Sequence, residues 1–495
     1  MHPRATVSVP DVVQDRESTG NLAGVGSLTG TENRYRGSGP KPTPHTVSHS
    51  SMPQLPISRV GSLLLGIPLL ALTATGCGQE PGAEVDGARF VPAVEEVYRV
   101  GALEGDRLDS FSRVTSVAFD DEGRLFILDS DTRQVTVVDP DGTPTTRFGS
   151  QGDGPGQFRS PQSLAVLASG DVAVADAGRG GVLIFSSDGE HLRTIPFGEG
   201  HVGGTGRLFP EPSDEAESSR DAVIFASRGI VMSRGPGGSP ALPTDIPVRR
   251  LVLGGPEEGD MSVVLRAWRP TRDDLGDFQV RSEGGQVRIS GTGPGVVAFE
   301  PQLHLALLPD GRLAMADSST YRIGIYSREG ELLQTVERPV TPRPVGERER
   351  EAERERRMQE LAEGGGPQVQ IVVGGPGGAR TFDQTDMREM LEDQVRDMAF
   401  WPEIPVVRSL AADPAGRLWV GRSAPAGEAG SGDRSPPGAD GPIDVLAADG
   451  SLLGTIPAGE FSIPHAFGPD GLVAWIEPDE LEIPFVRVAR LSSVP

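Results

Sequence analysis

The chain has 495 residues and a formal net charge of −24 at pH 7, so its surface is strongly acidic. Such a surface excludes nucleic acid as a partner, because phosphate binding needs clustered basic side chains. Glycine occurs 66 times and proline 44 times, which favours many turns between short strands over long helices.

Residues 1–51 are rich in Ser, Thr, Gly and Pro, which predicts a disordered leader. A complete export signal follows this leader, and Met52 stands at a natural start for it. We therefore expect that translation begins at Met52 rather than at Met1.

Residues 52–76 have the layout of a secretory signal, with Arg59 followed by an apolar run from Val60 to Leu72. That run is shorter than the roughly 20 residues that span a bilayer. Small residues then lead to Cys77, the single cysteine of the chain. This ending resembles the lipobox of bacterial lipoproteins. The resemblance implies lipid attachment at Cys77 and a location at the cell envelope, on the outer membrane or periplasmic side; secretion without a lipid is the alternative.

A repeated pattern begins after a predicted linker at 77–93. In the first copy it has three landmarks, which recur 47 residues later in the second copy, and a third copy keeps the same internal offsets. The landmarks are Gly123, Asp129 and Gly142 in the first copy, Gly170, Asp176 and Gly189 in the second, and Gly311, Asp317 and Gly330 in the third. Each copy contains four short β-branched or apolar runs separated by turn residues, which is typical of β-propeller blades.

Shorter copies around Gly229, Gly416 and Gly471 bring the number of units to six. The sequence therefore predicts an all-β, six-bladed β-propeller with four-stranded blades over residues 94–495. The strand at 95–101 is expected to complete the last blade, because an open ring would leave unpaired edges.

The glycine-rich stretch from Gly149 to Pro161 invites interpretation as a phosphate loop. Strands rather than a helix flank it, whereas a phosphate loop needs a helix N-terminus. Together with "DAGRGGVLIFSSDG" from Asp176 onwards, "GDGPGQFRSP" resembles the NHL repeat of six-bladed propellers. The resemblance implies that this stretch is a connection between blades, with Phe158 packed between them.

Three segments interrupt the repeat: residues 199–218, 256–297 and 340–405. The last contains a charged helical pattern and an amphipathic one, with Met387, Leu391, Val395 and Met398 at helical spacing. We expect two helices there. They either pack on the outside of one blade or serve as a lid or a partner-docking element.

Catalytic and metal-binding motifs are not recognisable. The four histidines after Cys77 occupy different phases of the repeat and lack metal-site spacing; they are His191, His201, His304 and His465. His304 lies on a predicted inner strand and could face the channel. The repeated aspartates end second strands, where a carboxylate accepts backbone N–H groups. We predict no catalytic residue, no metal and no cofactor.

Antiparallel strands place the turns between second and third strands on the same face as the inter-blade loops. That face is predicted to carry Arg133, Arg179 and Arg322 from the turns and Arg159 from a loop, with Tyr321 beside them. We expect a protein, an acidic peptide or a glycan to bind there; pairing of these arginines with the acidic surface is the alternative.

The predicted function is that of a monomeric binding or scaffold module tethered through its lipid. The alternative is a propeller hydrolase or lyase of the lactonase type, with a metal site in the central channel. That alternative rests on similarity of fold alone.

Overall fold

The computed structural model describes most of the chain from residue 88 onwards. The described residues are 88–101, 109–198, 204–212, 221–228, 233–234, 240–241, 245–270, 279–283, 286–290, 297–362, 372–375, 378–381, 384–424, 441–479 and 481–495. The predicted leader, the predicted signal and Cys77 lie outside them. None of the helices in these ranges is long and apolar enough to cross a membrane.

Four of the blades are regular antiparallel sheets, in each of which the strands follow one another from the channel outwards. Blade 1 contains Val114–Phe119, Leu125–Asp129, Gln134–Val138 and Pro144–Phe148. Blade 2 contains Pro161–Val166, Val172–Asp176, Gly181–Phe185 and His191–Pro196. Blade 4 contains His304–Leu307, Leu313–Ala316, Arg322–Tyr326 and Leu332–Glu337. Blade 5 contains Val407–Ala412, Leu418–Arg422, Ile443–Leu446 and Leu452–Ile456.

Blade 3 differs from its predicted form. Its inner strand is broken into Gly204–Thr205 and Phe209–Pro210, and Ala222–Arg228, Asp245–Val252 and Met261–Trp268 follow. The prediction that Gly229 marks its first hairpin is wrong, because Ala222–Arg228 pairs with the broken inner strand and with Asp245–Val252, which makes it the second strand. Parts of 199–218 and 256–297, taken as insertions, thus supply the inner and outer strands of this blade.

Blade 6 closes the ring. It contains Ala466–Phe467, Leu472–Pro478 and Pro484–Ser492, and its outer strand is Ala93–Val100 from the beginning of the propeller. The predicted closure by the first strand is confirmed. Residues 88–90, at the end of the predicted linker, lie along the outer strand of blade 5, where the N–H of Phe90 donates to the carbonyl of Thr455 at 3.3 Å.

A cluster of buried apolar side chains fills each of the six contacts between neighbouring blades. Middle strands such as Leu125–Asp129 and Gly181–Phe185 are buried along their whole length, because the next blade covers each face. Between blades 1 and 2 the cluster includes Phe158, which is fully buried and lies 5.5 Å from the ring of Phe185. The all-β, six-bladed propeller is therefore confirmed, and the Gly149–Pro161 stretch is a connection between blades.

The two faces of the ring differ in their loops. Inter-blade connections and the turns between second and third strands share one face, which we call the upper face. The lower face has mostly tight turns, such as the one at Gly123, where a φ of 82° favours glycine. The three longest connections, 269–303, 338–406 and 423–442, all leave the upper face. Long loops on a rigid scaffold commonly carry binding residues.

The segment at 340–405 contains helix α1, Glu347–Ala362, and helix α2, Gln384–Arg396. Val395 and Met398 are buried in a cluster with Ala298 and Phe299 from the connection between blades 3 and 4. The helices thus pack on upper-face connections and not on the outside of one blade. The side chain of Met387 lies outside the described part of the chain.

Short ribbons and one turn of 3-10 helix complete the structure. The antiparallel ribbons are Ser233–Arg234 with Pro240–Ala241, Gln279–Glu283 with Gln286–Ser290, Arg343–Pro344 with Glu403–Ile404, and Val372–Gly375 with Gly378–Thr381. Val297–Ala298 pairs in parallel with Ala399–Phe400, and Pro469–Gly471 forms the 3-10 turn.

Candidate ligand-binding site

A cavity of about 1490 Å³ occupies the upper part of the central channel. Residues from blades 1, 2, 3, 5 and 6 and from the upper loops line it. Serine hydroxyls connect neighbouring inner strands in the wall of the cavity. The hydroxyl of Ser116 accepts the N–H of Leu164 at 3.1 Å, and that of Ser163 accepts the N–H of Leu208 at 3.0 Å. Each of these bonds joins the inner strand of one blade to the next, so the wall between blades 1 and 3 is held in place.

The repeated aspartates shape the rim of the cavity. The carboxylate of Asp176 is fully buried and accepts the N–H groups of Arg159, Ser160 and Arg179 at 2.7, 2.9 and 2.9 Å. Asp129 accepts four backbone N–H groups in the same way, two of them from the loop that enters blade 1. Asp317 accepts the N–H of Trp268 at 2.7 Å. The carboxylates thus fix the upper loops from below, as their sequence position predicts.

Three of the predicted arginines come together on this rim. Arg133 donates to the carbonyl of Arg159 at 3.0 Å, and Arg179 donates to the carbonyl of Asp153 at 2.6 Å. Arg159 forms an ion pair with the carboxylate of Asp153 and a hydrogen bond with the carbonyl of Gly178 at 3.3 Å. These contacts hold the rim loops together. Binding of a partner by these arginines stays a prediction.

The other two predicted residues lie elsewhere. Arg322 is exposed on blade 4, with its Nε 3.6 Å from a carboxylate oxygen of Glu337. Tyr321 is only 2% exposed, inside the cluster between blades 4 and 5, so the prediction that it contributes to an exposed face is wrong. Burial and the charge of Asp444 raise the pKa of Tyr321.

Arg207 and His465 reach into the channel from opposite blades. Arg207 lies in the break of the inner strand of blade 3, and His465 directly precedes the inner strand of blade 6. Both residues line the cavity and are exposed to the solvent inside it. Burial lowers the pKa of Arg207. Burial and the charge of Arg207 lower the pKa of His465, against the opposing effect of Glu477.

The hydrogen bonding of the two groups differs. The Nδ1 atom of His465 accepts the N–H of Ile476 at 3.2 Å, so the ring is neutral with its proton on Nε2. The guanidinium of Arg207 lies 5.5 Å from the ring centre of Phe209, and within the described residues it has no hydrogen bond or ion pair. Two residues before it, the buried hydroxyl of Thr205 has no hydrogen-bond partner within those residues either.

The cavity lining is unevenly charged. Among the described residues, five arginines and two carboxylates contribute to it, and four of the arginines belong to blades 1–3 or their loops, namely Arg113, Arg133, Arg159 and Arg207. The fifth, Arg487 on blade 6, is paired with Glu477 through bonds of 2.6 and 3.0 Å. The basic excess therefore belongs to the wall formed by blades 1–3.

The opposite wall is mainly apolar. Leu410 and Ile443 of blade 5 and Phe461, Ile463 and Trp475 of blade 6 and its entry loop line it. Phe461 is held between Trp419 at 5.7 Å and Trp475 at 5.8 Å, measured between ring centres. The indole N–H of Trp475 donates to the carbonyl of Ser462 at 2.9 Å, which fixes the loop that carries this wall.

The described part of the chain contains no group of three or more His, Cys, Asp or Glu residues that could hold a metal ion. His304 lies half-buried on the inner strand of blade 4 and does not line the cavity.

Sequence reasoning did not single out Arg207, and it gave His465 no role. Arg207 lies in the segment 199–218, where the sequence predicts an interruption of the repeat. The position of Arg207 at a break in the inner strand indicates that it faces the channel, but this can be recognised only after the strands of blade 3 have been assigned.

Comparison with known proteins identifies similar folds only. No family model matches the chain, and no curated protein matches it. A streptogramin B lyase structure is 12% identical, with 81% of this chain and 98% of that chain covered and a TM-score of 0.36. A gluconolactonase from Xanthomonas campestris is 14% identical, with 83% and 98% covered and a TM-score of 0.36. A member of the DUF4221 family from Bacteroides vulgatus is 10% identical, with 81% and 98% covered and a TM-score of 0.43.

Proposed function

We propose that this protein is an extracytoplasmic binding protein that admits an anionic small molecule into the upper part of its channel. The observation that carries this proposal is Arg207, a cation that lines the cavity, lies over the ring of Phe209 and has no hydrogen bond or ion pair within the described residues. Charge-assisted hydrogen bonds to carboxylates are among the stronger polar contacts in proteins. They strengthen further where surrounding protein lowers the local dielectric.

The charge distribution of the protein supports an anionic ligand. The whole chain has a net charge of −24, yet among the described residues five arginines and two carboxylates line the cavity. Three of these arginines form ion pairs, which leaves Arg133 and Arg207; the pairs are Arg113 with Asp131, Arg159 with Asp153 and Arg487 with Glu477. A cleft lined by one sign of charge focuses the field and raises the local concentration of the opposite charge. The cavity thus attracts anions, which the acidic surface of the rest of the protein repels.

Titration calorimetry on the full chain carrying Cys77→Ser, which removes the predicted lipid site, tests this proposal. Hexanoate serves as the anionic probe and 1-hexanol as its neutral counterpart. We expect Arg207→Gln to weaken hexanoate about 10-fold to 100-fold, the loss of one hydrogen bond to a charged group. Arg266→Gln is the matched control, because Arg266 lies on the outer strand of the same blade with its side chain 59% exposed. Equal hexanoate affinity in wild type and Arg207→Gln contradicts the proposal.

The location at the cell envelope rests on the lipobox-like sequence before Cys77. We expect metabolic labelling with an alkyne-tagged fatty acid to mark the wild-type chain. Cys77→Ser should remove the label, and a variant that keeps it would contradict lipid attachment at this residue.

The connection before blade 2 supports an NHL-type propeller. The N–H of Phe158 donates to the carbonyl of Ser150 at 2.8 Å, and the N–H of Gly152 donates to the carbonyl of Phe158 at 3.1 Å. The loop therefore closes on itself while the Phe158 ring packs between blades. An aromatic ring packed between blades from such a loop is what the NHL resemblance implies.

A further inference from the structure

The two walls of the cavity differ in chemistry, and this difference limits the ligand further. The wall from blades 1–3 carries the excess of arginines, whereas Leu410, Ile443, Phe461, Ile463 and Trp475 lie on the wall from blades 5 and 6. A simple inorganic anion would use only the first wall. A ligand that contacts both must have a charged end and an apolar body.

On the basis of the proposed anion site, we infer that the ligand is an amphipathic carboxylate. Its carboxylate pairs with Arg207, and its apolar body lies against the wall that contains Phe461 and Ile463. Arg207 lines the cavity, and its guanidinium has no hydrogen bond or ion pair within the described residues. A carboxylate can therefore form charge-assisted hydrogen bonds with it.

Charge also fixes the direction in which such a ligand enters. The exposed carboxylate of Glu460 lines the cavity on the blade 6 side, and Glu477 already pairs with Arg487 there. A ligand carboxylate on this side would be repelled, whereas Arg207 on the opposite wall attracts it. Charge complementarity therefore places the charged end at blade 3.

The apolar wall can bind a rigid or extended hydrocarbon. Phe461 is held between two tryptophans, so its ring loses little freedom when a ligand packs on it. The cavity of about 1490 Å³ exceeds the roughly 300–1,000 Å³ typical of small-molecule sites, so a body of many carbon atoms fits. Burying each methylene should then increase affinity by a constant factor.

Calorimetry with a homologous series tests this inference. The probes are butyrate, hexanoate and octanoate, with the alcohols of equal length as neutral controls, on the full chain carrying Cys77→Ser. We expect carboxylate affinity to rise about threefold to fourfold per methylene, which is the transfer of one methylene out of water. Arg207→Gln should weaken all three carboxylates by a similar factor while leaving the alcohols unchanged.

Two further variants distinguish a specific effect of the apolar wall on ligand affinity from a general loss of folding. Ile463→Ser should reduce the gain per methylene to about half while hardly changing butyrate. Leu332→Ser is the matched control, since Leu332 is 52% exposed on the outer strand of blade 4; it should leave the series as in wild type.

The outcomes distinguish this inference from the proposed function. Carboxylates that bind with equal affinity at all lengths, but are lost in Arg207→Gln, would overturn the amphipathic ligand and keep the anion site. A rising series that is insensitive to Arg207→Gln would overturn both, because the body would then bind without its charged end at Arg207. Absence of carboxylate binding in the wild type would also overturn both.

Discussion

Replacing each repeated aspartate by alanine should destabilise the propeller according to the number of amides that the carboxylate holds. Asp129, Asp176 and Asp317 occupy the same place at the end of a second strand, but from the described residues they accept four, three and one backbone N–H groups. Asp129 and Asp176 are 2% and 0% exposed, whereas Asp317 is only partly buried. The three aspartates thus form a series in which both the number of amide contacts and the burial of the carboxylate decrease.

The magnitudes follow from the contacts. A hydrogen bond to a charged group contributes about 1.5–3 kcal/mol, and buried N–H groups left without an acceptor add their desolvation cost. Part of this is regained because alanine no longer buries a charge. We therefore expect losses in the free energy of unfolding of about 3–5 kcal/mol for Asp129→Ala and Asp176→Ala. For Asp317→Ala we expect about 1 kcal/mol, since water can reach the amide that it leaves.

Urea unfolding of the three variants measures these losses as shifts of the midpoint at an unchanged slope. Asp176→Asn keeps one acceptor oxygen, so its loss should fall between those of wild type and Asp176→Ala. Equal losses at all three positions, or the largest loss at Asp317, would refute the reasoning that the amide contacts determine the effect.

Three other results are expected. Phe158→Ala should lower the free energy of unfolding by about 3–5 kcal/mol, because it empties a fully buried site between blades; a loss below about 1 kcal/mol would contradict its packing role. Asp444→Asn should lower it by about 3 kcal/mol in urea titrations, because the buried cation of Arg338 loses its ion-pair partner; an unchanged midpoint would contradict this. The pKa of His465 is lowered from its ordinary value of 6.5 in the fold, so the unfolded chain takes up that proton first. Stability should therefore not depend on His465 above pH 6.5 and should fall below it, and His465→Gln should reduce this fall; equal pH dependence in both proteins would contradict the assignment.

The propeller could be predicted because its blades share fixed landmarks. Glycine turns and second-strand aspartates recur at equal offsets in blades 1, 2 and 4, and these residues form local structure that needs no distant partner. Blade 3 could not be predicted, because its inner strand is broken after Thr205 and its first connection lacks the glycine that the other blades have there. Its outer strand, Met261–Trp268, was visible as an apolar run but had no repeat landmark to place it.

The site was less predictable than the fold. The repeat correctly brings Arg133, Arg159 and Arg179 to one rim, because their positions follow from blade geometry. That Arg207 and His465 line the same cavity depends on closure of the whole ring, which sets blades 3 and 6 opposite each other. Tyr321 could not be recognised as buried, because it lies at the turn before a third strand and packs between blades 4 and 5 only once the ring has formed.

The most direct test of the central claim is a crystal structure of the full chain with 4-iodobenzoate, whose iodine is located by anomalous scattering. The anion site at Arg207 predicts its carboxylate within hydrogen-bond distance of that guanidinium and its iodine toward the wall that contains Phe461. A fully occupied ligand bound elsewhere, with Arg207 free of it, would contradict the account.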